Sequence, residues 1–224
     1  MDAKTARTLR QLAETGWLAE QPPEFQARVA AIGHWVSHPE GVLLYAEDQA
    51  GRAIYGLGEG LLDIEISVSP TETVMLHRAP RGFWIGDSAM LAGAARTVAV
   101  RTAMPSRVFH LPAEGVQRLL REYPAGWVCF YRLSHANVTL ALRVLAEVLS
   151  LRSGVRSARL LLRLAGPDGQ VRATQDELGR LAGMSRAAFR RCLSDLITAG
   201  GLGTGYGGVR IADRAALEAA ARGD

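Results

Sequence analysis

"TQDELGRLAGMSRAAFRRCLSDL", residues 174–196, carries its own punctuation. Thr174 and Glu177 form a T-x-x-E capping box, which starts a helix that buries Leu178 and Leu181. Gly183 ends that helix, because glycine takes the left-handed conformation that a tight turn needs. Ser185 is a good N-cap for a second helix running to about Thr198. Two helices joined by about three residues have helix-turn-helix spacing. On the second helix Phe189, Cys192, Leu193 and Leu196 fall on one side. Arg186, Ala187, Arg190, Arg191 and Ser194 surround the other. The arginines occupy its N-terminal half, the end that reads base edges when such a helix lies in the major groove. Arginine suits that task because its planar fork of donors matches guanine O6 and N7. The competing reading is a solvated face, since arginine is also a good helix former.

Downstream, "AGGLGTGYGGVRIADRAALEAAA" places two short apolar pieces, around Leu202 and at Val209 to Ile211, on either side of a glycine-rich turn. This reads as the hairpin of a winged helix, with Tyr206 and Arg210 available to phosphate. Gly203, Gly205 and Gly208 also satisfy G-x-G-x-x-G. That motif needs a βαβ unit with a helix behind it, and only 16 residues follow, so a nucleotide-binding loop is not expected.

The rest of the chain is consistent with a basic module joined to a neutral one. Residues 1–151 hold 14 Lys+Arg and 15 Asp+Glu, whereas residues 152–224 hold 12 and 7, so the positive excess lies in the C-terminal third. That distribution fits a polyanion-binding domain. With 224 residues, two domains are expected: hydrophobic residues make up 48%, and no run has the eighteen or more apolar residues a membrane helix requires. The opening segment lacks the pattern of a secretory signal, so the expected compartment is the cytoplasm. Cys129 and Cys192 are too far apart for a C-x-x-C, which argues against a disulfide framework, a zinc site or a cysteine-ligated cluster.

Three textures follow one another upstream of residue 174. From about Thr5 to Ile32 the apolar spacing is helical, broken into two short helices by "QPP" at 21–23. From Gly41 to Leu111 the pieces "GVLLY", "AIYGL", "LLDIEISV", "TVMLH", "GFWIG", "RTVAV" and "RVFHL" read as short strands of a sandwich or roll. A long helix then begins near Pro124. Its positions 128, 131, 135, 138, 142, 145 and 149 alternate spacings of three and four, the seam of a coiled coil. We read Tyr131, His135, Val138, Leu142, Leu145 and Leu149 as a homodimer interface. Leu133, Leu140, Val144 and Val148 face the chain's own domain. Protonation of His135 in the seam would weaken association at mildly acid pH. "SLRSGV", 150–155, is a hinge. The expected architecture is α+β: an N-terminal sensor of helices and β-roll over 1–123, a dimerisation helix and hinge over 124–153, and a winged helix-turn-helix over 154–224.

The chain resembles the Crp/Fnr-type bacterial regulators, and the resemblance covers nearly all of it. "ATQDELGRLAGMSRAAFRRCLSDL" is similar to that family's helix-turn-helix, with Ser185 and Arg186 opening the recognition helix and Arg191 at its second reading position. Ala187 stands where the family pattern often has glutamate, which leaves the operator open. The DNA-binding set is Thr174, Gln175, Ser185, Arg186, Ala187, Arg190, Arg191, Tyr206 and Arg210. "LYAEDQAGRAIYGLGEGLLDI" resembles the β-roll of a cyclic-nucleotide-binding domain, a double-stranded β-helix. "GDSAMLAGAARTVAV", 86–100, resembles its phosphate-binding cassette. The resemblance implies that Gly86, Asp87, Ser88, Arg96 and Thr97 line a site for cyclic AMP, cyclic GMP or another small anion. Arg96 would be the counter-ion, Thr97 would donate to phosphate, and Asp87 would reach the ribose 2′-hydroxyl. Asp87 stands where nucleotide-binding members carry glutamate. Ala141 and Leu142 stand where hydroxyls would meet adenine, leaving Thr139 or Asn137 for the base. The implied partners are double-stranded DNA with a two-fold operator, a second copy of the chain, and RNA polymerase. The implied activity is transcription regulation without enzymatic chemistry.

Other classes would leave different marks on the residues. An effector-independent or differently gated regulator would keep this fold with a degenerate pocket. A cupin-like metalloenzyme would want H-x-H or H-E-x-x-H, and the five histidines form neither, so no metal is assigned. A protein-interaction module would keep the roll and seam but protect no defined DNA site.

Overall fold

Pro112 and Pro22 each set up a helix start, because proline's fixed φ and missing N–H suit the positions where a helix begins. Pro22 precedes helix α1 (Pro23–Ile32) and Pro112 precedes α3 (Ala113–Glu122). These helices flank a β-rich region in the computed structural model, which describes residues 12–166, 168–205 and 208–223. The helix expected before "QPP" is, within the described residues, a 3₁₀ turn over Trp17–Glu20 that follows α-helical Leu12 and a bend. Its beginning near Thr5 lies outside them.

The strands form two four-stranded antiparallel sheets. One has the order β1-β8-β3-β6, built from His34–His38, Ser106–Pro112, Ala53–Glu59 and Trp84–Ile85. The other is β2-β7-β4-β5, built from Leu43–Tyr45, Ala99–Thr102, Leu62–Ser69 and Glu72–Ala79. Strand neighbours that are distant in sequence, such as β1 with β8, are what a roll requires and a meander does not. Between the sheets Tyr45, Leu57, Leu62, Ile64, Ala79, Val100 and Val108 form the inner core. The outer face of the first sheet, carrying Ile54, Phe109 and Leu111, packs on the helices. There Trp17 meets Phe25, Trp84 and Phe130 with ring centroids 5.3–5.8 Å apart. Its indole N–H donates to the Cys129 carbonyl at 2.8 Å, so the tryptophan is buried with its polar handle satisfied.

Phe130 and Cys129 belong to α4 (Gly126–Ser150), a continuous helix of 25 residues. The chain divides into two compact units, 1–140 and 141–224, and the division falls inside this helix rather than at either end. In the second unit α5 (Ser153–Leu164), α6 (Gln175–Leu181), α7 (Arg186–Thr198) and α8 (Arg214–Arg222) accompany a small sheet of order β10-β11-β9, from Leu202–Gly205, Gly208–Ile211 and Gln170–Val171. Glu147 near the end of α4 accepts a hydrogen bond from Arg163 on α5 at 3.1 Å. Arg156 donates to the Val148 carbonyl at 2.9 Å, so the turn between the two helices is pinned from both sides. The architecture is the expected one: β-roll, long helix, winged helix-turn-helix. The sequence reading lacked β1 and α3, and it left the short helix α2 (Asp87–Ala92) unmarked within the cassette.

Candidate functional site

The helix-turn-helix is built by the signals read from sequence. Thr174 Oγ1 accepts from the Glu177 N–H at 3.2 Å, while the Glu177 carboxylate accepts from the Thr174 N–H at 2.7 Å. Gly183 has φ +62°, and the Met184 N–H closes the turn onto the Gly179 carbonyl at 2.9 Å. Ser185 Oγ accepts from the Ala188 N–H at 3.2 Å and caps α7. Phe189, Cys192, Leu193 and Leu196 are buried. Arg186, Ala187, Arg190 and Arg191 are exposed, as are Thr174, Gln175 and Ser185. Within the described residues no carboxylate lies within 4 Å of the guanidinium of Arg186, Arg190 or Arg191. Arg180, Arg172 and Arg214, by contrast, each pair with an acid four residues away. The three arginines cluster, exposed, in the N-terminal half of α7, and clustered basic side chains along one helix are the electrostatic footprint of a polyanion partner.

The wing sheet places Arg210 on β11, exposed and opposite Gly203. Tyr206 lies outside the described residues. Gly203, Gly205 and Gly208 are hairpin strand residues, with Gly205 paired to Gly208, so their G-x-G-x-x-G spacing is that of a wing.

In the cassette, the two charged residues that the resemblance implies for a ligand, Asp87 and Arg96, are both buried and engaged within the protein. Gly86 has φ +97°, and a Cβ there would stand 2.5 Å from Arg96 Nη1, so only glycine fits beside this guanidinium. Arg96 is buried and donates to the Gly86 carbonyl at 2.7 Å and the Ala53 carbonyl at 2.6 Å. Its guanidinium lies over the Tyr45 ring at 4.2 Å, and Tyr55 is the next ring at 6.0 Å. Arg96 Nε is buried and has no hydrogen-bond partner among the described residues. The site is therefore a buried cation held by neutral groups, with its Nε–H unused. Burial pushes the Tyr45 hydroxyl far above its ordinary pKa, so it stays a neutral phenol beside the cation.

Asp87 is 3% exposed, and its carboxylate faces α4. Ser134 Oγ donates to Oδ2 at 2.5 Å and Asn137 Nδ2 donates to Oδ1 at 3.1 Å. Asn137, which the resemblance offered for base recognition, also donates to the Trp84 carbonyl. Ser88 and Thr97 are exposed. Ser134, Tyr45 and Tyr55 were missed by the sequence reading. The first had a signal, since Ser134 and Asn137 are spaced i, i+3 beside the buried stripe of α4, where a polar pair wants a partner.

The charge state of this clasp is testable. Burial raises the Asp87 pKa, and the hydrogen bonds from Ser134 and Asn137 oppose that rise only in part. A carboxyl whose folded pKa lies above its unfolded value favours folding most when both states are protonated. That contribution is lost as pH rises from the ordinary carboxylate value through the folded pKa. Asp87→Asn removes the ionisation while keeping the shape. In urea denaturation from about pH 4 to about pH 7, the stability of Asp87→Asn relative to the parent should increase with pH. A difference independent of pH would exclude a buried charge here.

On α4 the seam is bare. Val128, Tyr131, Val138, Leu142, Leu145 and Leu149 are 52–77% exposed, and His135 is exposed beside the Tyr131 ring. On the other side Leu133 is buried, Leu140 and Val144 are half-buried, and Val148 remains 40% exposed. Within the described residues no helix is long and apolar enough to cross a membrane. Nor does any group of three or more His, Cys, Asp or Glu among them stand together in a way that would hold a metal ion.

Comparison with known proteins matches two family models. Residues 35–123 match a cyclic nucleotide-binding domain, and residues 155–220 match a Crp-like helix-turn-helix domain. The chain is a Crp/Fnr-type transcription regulator. Solved structures share its fold. FixK2 from Bradyrhizobium japonicum superposes with TM-score 0.75 at 16% identity, over 84% of this chain and 96% of that one. TTHA1359, a transcriptional regulator of the CRP/FNR family from Thermus thermophilus, gives 0.68 at 23%, over 84% and 98%. The c-di-GMP responsive global regulator CLP of Xanthomonas campestris gives 0.68 at 20%, over 86% and 100%. The search of curated proteins gave no match. In this Crp/Fnr-type regulator the clasp of Asp87 and the buried Arg96 fall within the nucleotide-binding domain, and the exposed arginines of α7 fall within the DNA-binding one.

Proposed function

We propose that this regulator acts in the cytoplasm as a homodimer joined along α4, reads a two-fold DNA site through α7, and carries an effector pocket held shut by its own side chains. The observation that supports the dimer is the row of exposed apolar residues from Val128 to Leu149, spaced as a coiled-coil seam on a helix whose other face is partly buried. A two-fold dimer requires a symmetric operator, with half-sites about 34–36 Å apart so that both recognition helices reach one DNA face. Arg186, Arg190 and Arg191 are the base-reading candidates, with Ala187 between them. Thr174, Gln175, Ser185, Tyr206 and Arg210 supply positioning contacts to phosphate. Footprinting on the DNA upstream of the protein's own coding sequence should give one symmetric protected site. Protection without symmetry, or none from folded protein, would count for an interaction module instead. Contact with RNA polymerase is part of the same reading, and no enzymatic activity is assigned.

For the effector, a differently gated regulator is favoured over a freely open nucleotide sensor. Both carboxylate oxygens of Asp87 are already engaged, and the two terminal nitrogens of Arg96 already donate to carbonyls. A cyclic nucleotide would have to displace the Gly86 and Ala53 carbonyls to reach Arg96, and Ser134 and Asn137 to reach Asp87. What remains attractive to an anion is the buried charge itself and its unused Nε donor. Calorimetric titration of nucleotide-stripped protein with cyclic AMP and then cyclic GMP tests this, and little or no heat is expected at micromolar ligand. Micromolar binding that Arg96→Lys weakens would overturn the closed-pocket reading and make Asp87 a working substitute for glutamate.

A further inference from the structure

The register of β1 against β8 sets His34 directly opposite His110. Side chains of such an antiparallel pair project from the same face and stand close enough to act together. The two imidazole centroids are 5.0 Å apart. A metal–nitrogen distance of about 2.0–2.1 Å places an ion about 3.2 Å from each ring centre. Two imidazoles bound at neighbouring positions, with an angle of about 90–110° at the metal, then have centroids about 4.5–5.2 Å apart. The observed spacing lies within that window. Neither His34 nor His110 has a hydrogen-bond partner among the described residues, and His110 Nδ1 is a buried atom with none.

The surroundings suit a cation that takes nitrogen ligands. Both histidines line a cavity of about 180 Å³ at the β-roll, together with Val36, His38, Leu43, Leu44, Tyr55 and Val108. No lysine or arginine among the described residues lines it to repel an ion, and no carboxylate lines it to favour magnesium or calcium. Imidazole alone suits zinc, nickel and copper. His34 is exposed, so the site has an entry path, and the cavity has room for the waters that must complete a two-ligand shell. His38 lies four residues along β1, opposite Ser106, about 13 Å from His34 along the strand, and cannot join the pair.

We propose that His34 and His110 form a two-histidine site for a divalent transition ion, separate from the clasp at Asp87 and Arg96. The site supplies two protein ligands and leaves the remaining positions to water, which makes it an exchangeable site rather than a structural one.

The test is a titration of the full-length protein with NiCl₂ and with ZnCl₂ in a non-chelating buffer, followed by calorimetry. One ion per chain is expected. His34→Gln and His110→Gln should each weaken binding by about tenfold or more, while His135→Gln, at an exposed position of α4 away from the cavity, stays within about twofold of the parent. Retention of that ion at undiminished affinity in the His34→Gln protein, or no uptake by the parent protein, would overturn the site. His110 is half-buried, so its variant is to be compared by circular dichroism; if it fails to fold, exposed His34→Gln carries the test. The ring resonances of His34 and His110 provide a second readout, and both must shift with the first equivalent of ZnCl₂. A shift confined to other histidines counts against the proposal.

Discussion

If the seam of α4 joins two copies as proposed, replacing Leu142 and Leu145 together by glutamate should yield a folded monomer that no longer holds a two-fold operator. Both side chains are more than half exposed in the single chain, so the substitutions remove little of either unit's own packing. In the proposed dimer they would set four carboxylates against one another in the apolar seam, where like charges and desolvation both oppose association. Sedimentation should report a species near 24.1 kDa instead of twice that mass. The helical circular-dichroism signal should survive. Operator affinity should fall by about 10²–10⁴-fold, because the second half-site is no longer bound by a linked partner. A variant that stays dimeric would show that association uses another surface, and the seam would need a different explanation.

Arg186→Ala should produce the second large effect, of a different kind. Arg186 opens α7, is exposed and has no carboxylate within 4 Å among the described residues, so its removal leaves the fold undisturbed. A bidentate contact from arginine to guanine contributes about 1–3 kcal/mol of discrimination, and a two-fold complex contains it twice. Binding to the operator should therefore drop by about 2–6 kcal/mol, while binding to random DNA changes much less. Arg210→Ala on the wing is the comparison. It should weaken operator and random DNA alike and lower the slope of log affinity against log salt by about one for each phosphate no longer neutralised. Equal losses on both DNAs for Arg186→Ala would reassign it from base to phosphate.

Much of the DNA-binding unit could be read from the chain because its signals act over a few residues. Thr174 caps with Glu177, Ser185 with the Ala188 N–H, and Gly183 turns the chain on its own. The heptad of α4 is likewise a local period. Strand β1, "HWVSH", was not legible, since alternation there sets two histidines and a serine among its five residues and the strand follows directly on a helix. Helix α3 is absent from the sequence reading although its signals are local, with Pro112 at its start and Val116, Leu119 and Leu120 at helical spacing. The cassette was legible in composition and illegible in arrangement. Asp87 meets Ser134 and Asn137 at separations of 47 and 50 residues, and Arg96 meets the Ala53 carbonyl at 43. Nothing within a short window specifies such partners. The β-roll decides them by bringing the cassette under α4.

If an effector enters at Asp87 as proposed, the contacts of Asp87 with Ser134 and Asn137 also set a concentration scale. If ligand enters only when those contacts are open, its apparent dissociation constant is the intrinsic one divided by the open fraction. Each 1.4 kcal/mol or so that holds the carboxylate on α4 thus raises the half-saturating ligand level about tenfold. A substitution at Ser134 would move the response to scarcer ligand without touching any atom the ligand binds. Sensitivity in this regulator would then be adjustable from the long helix, independently of the chemistry that distinguishes one ligand from another.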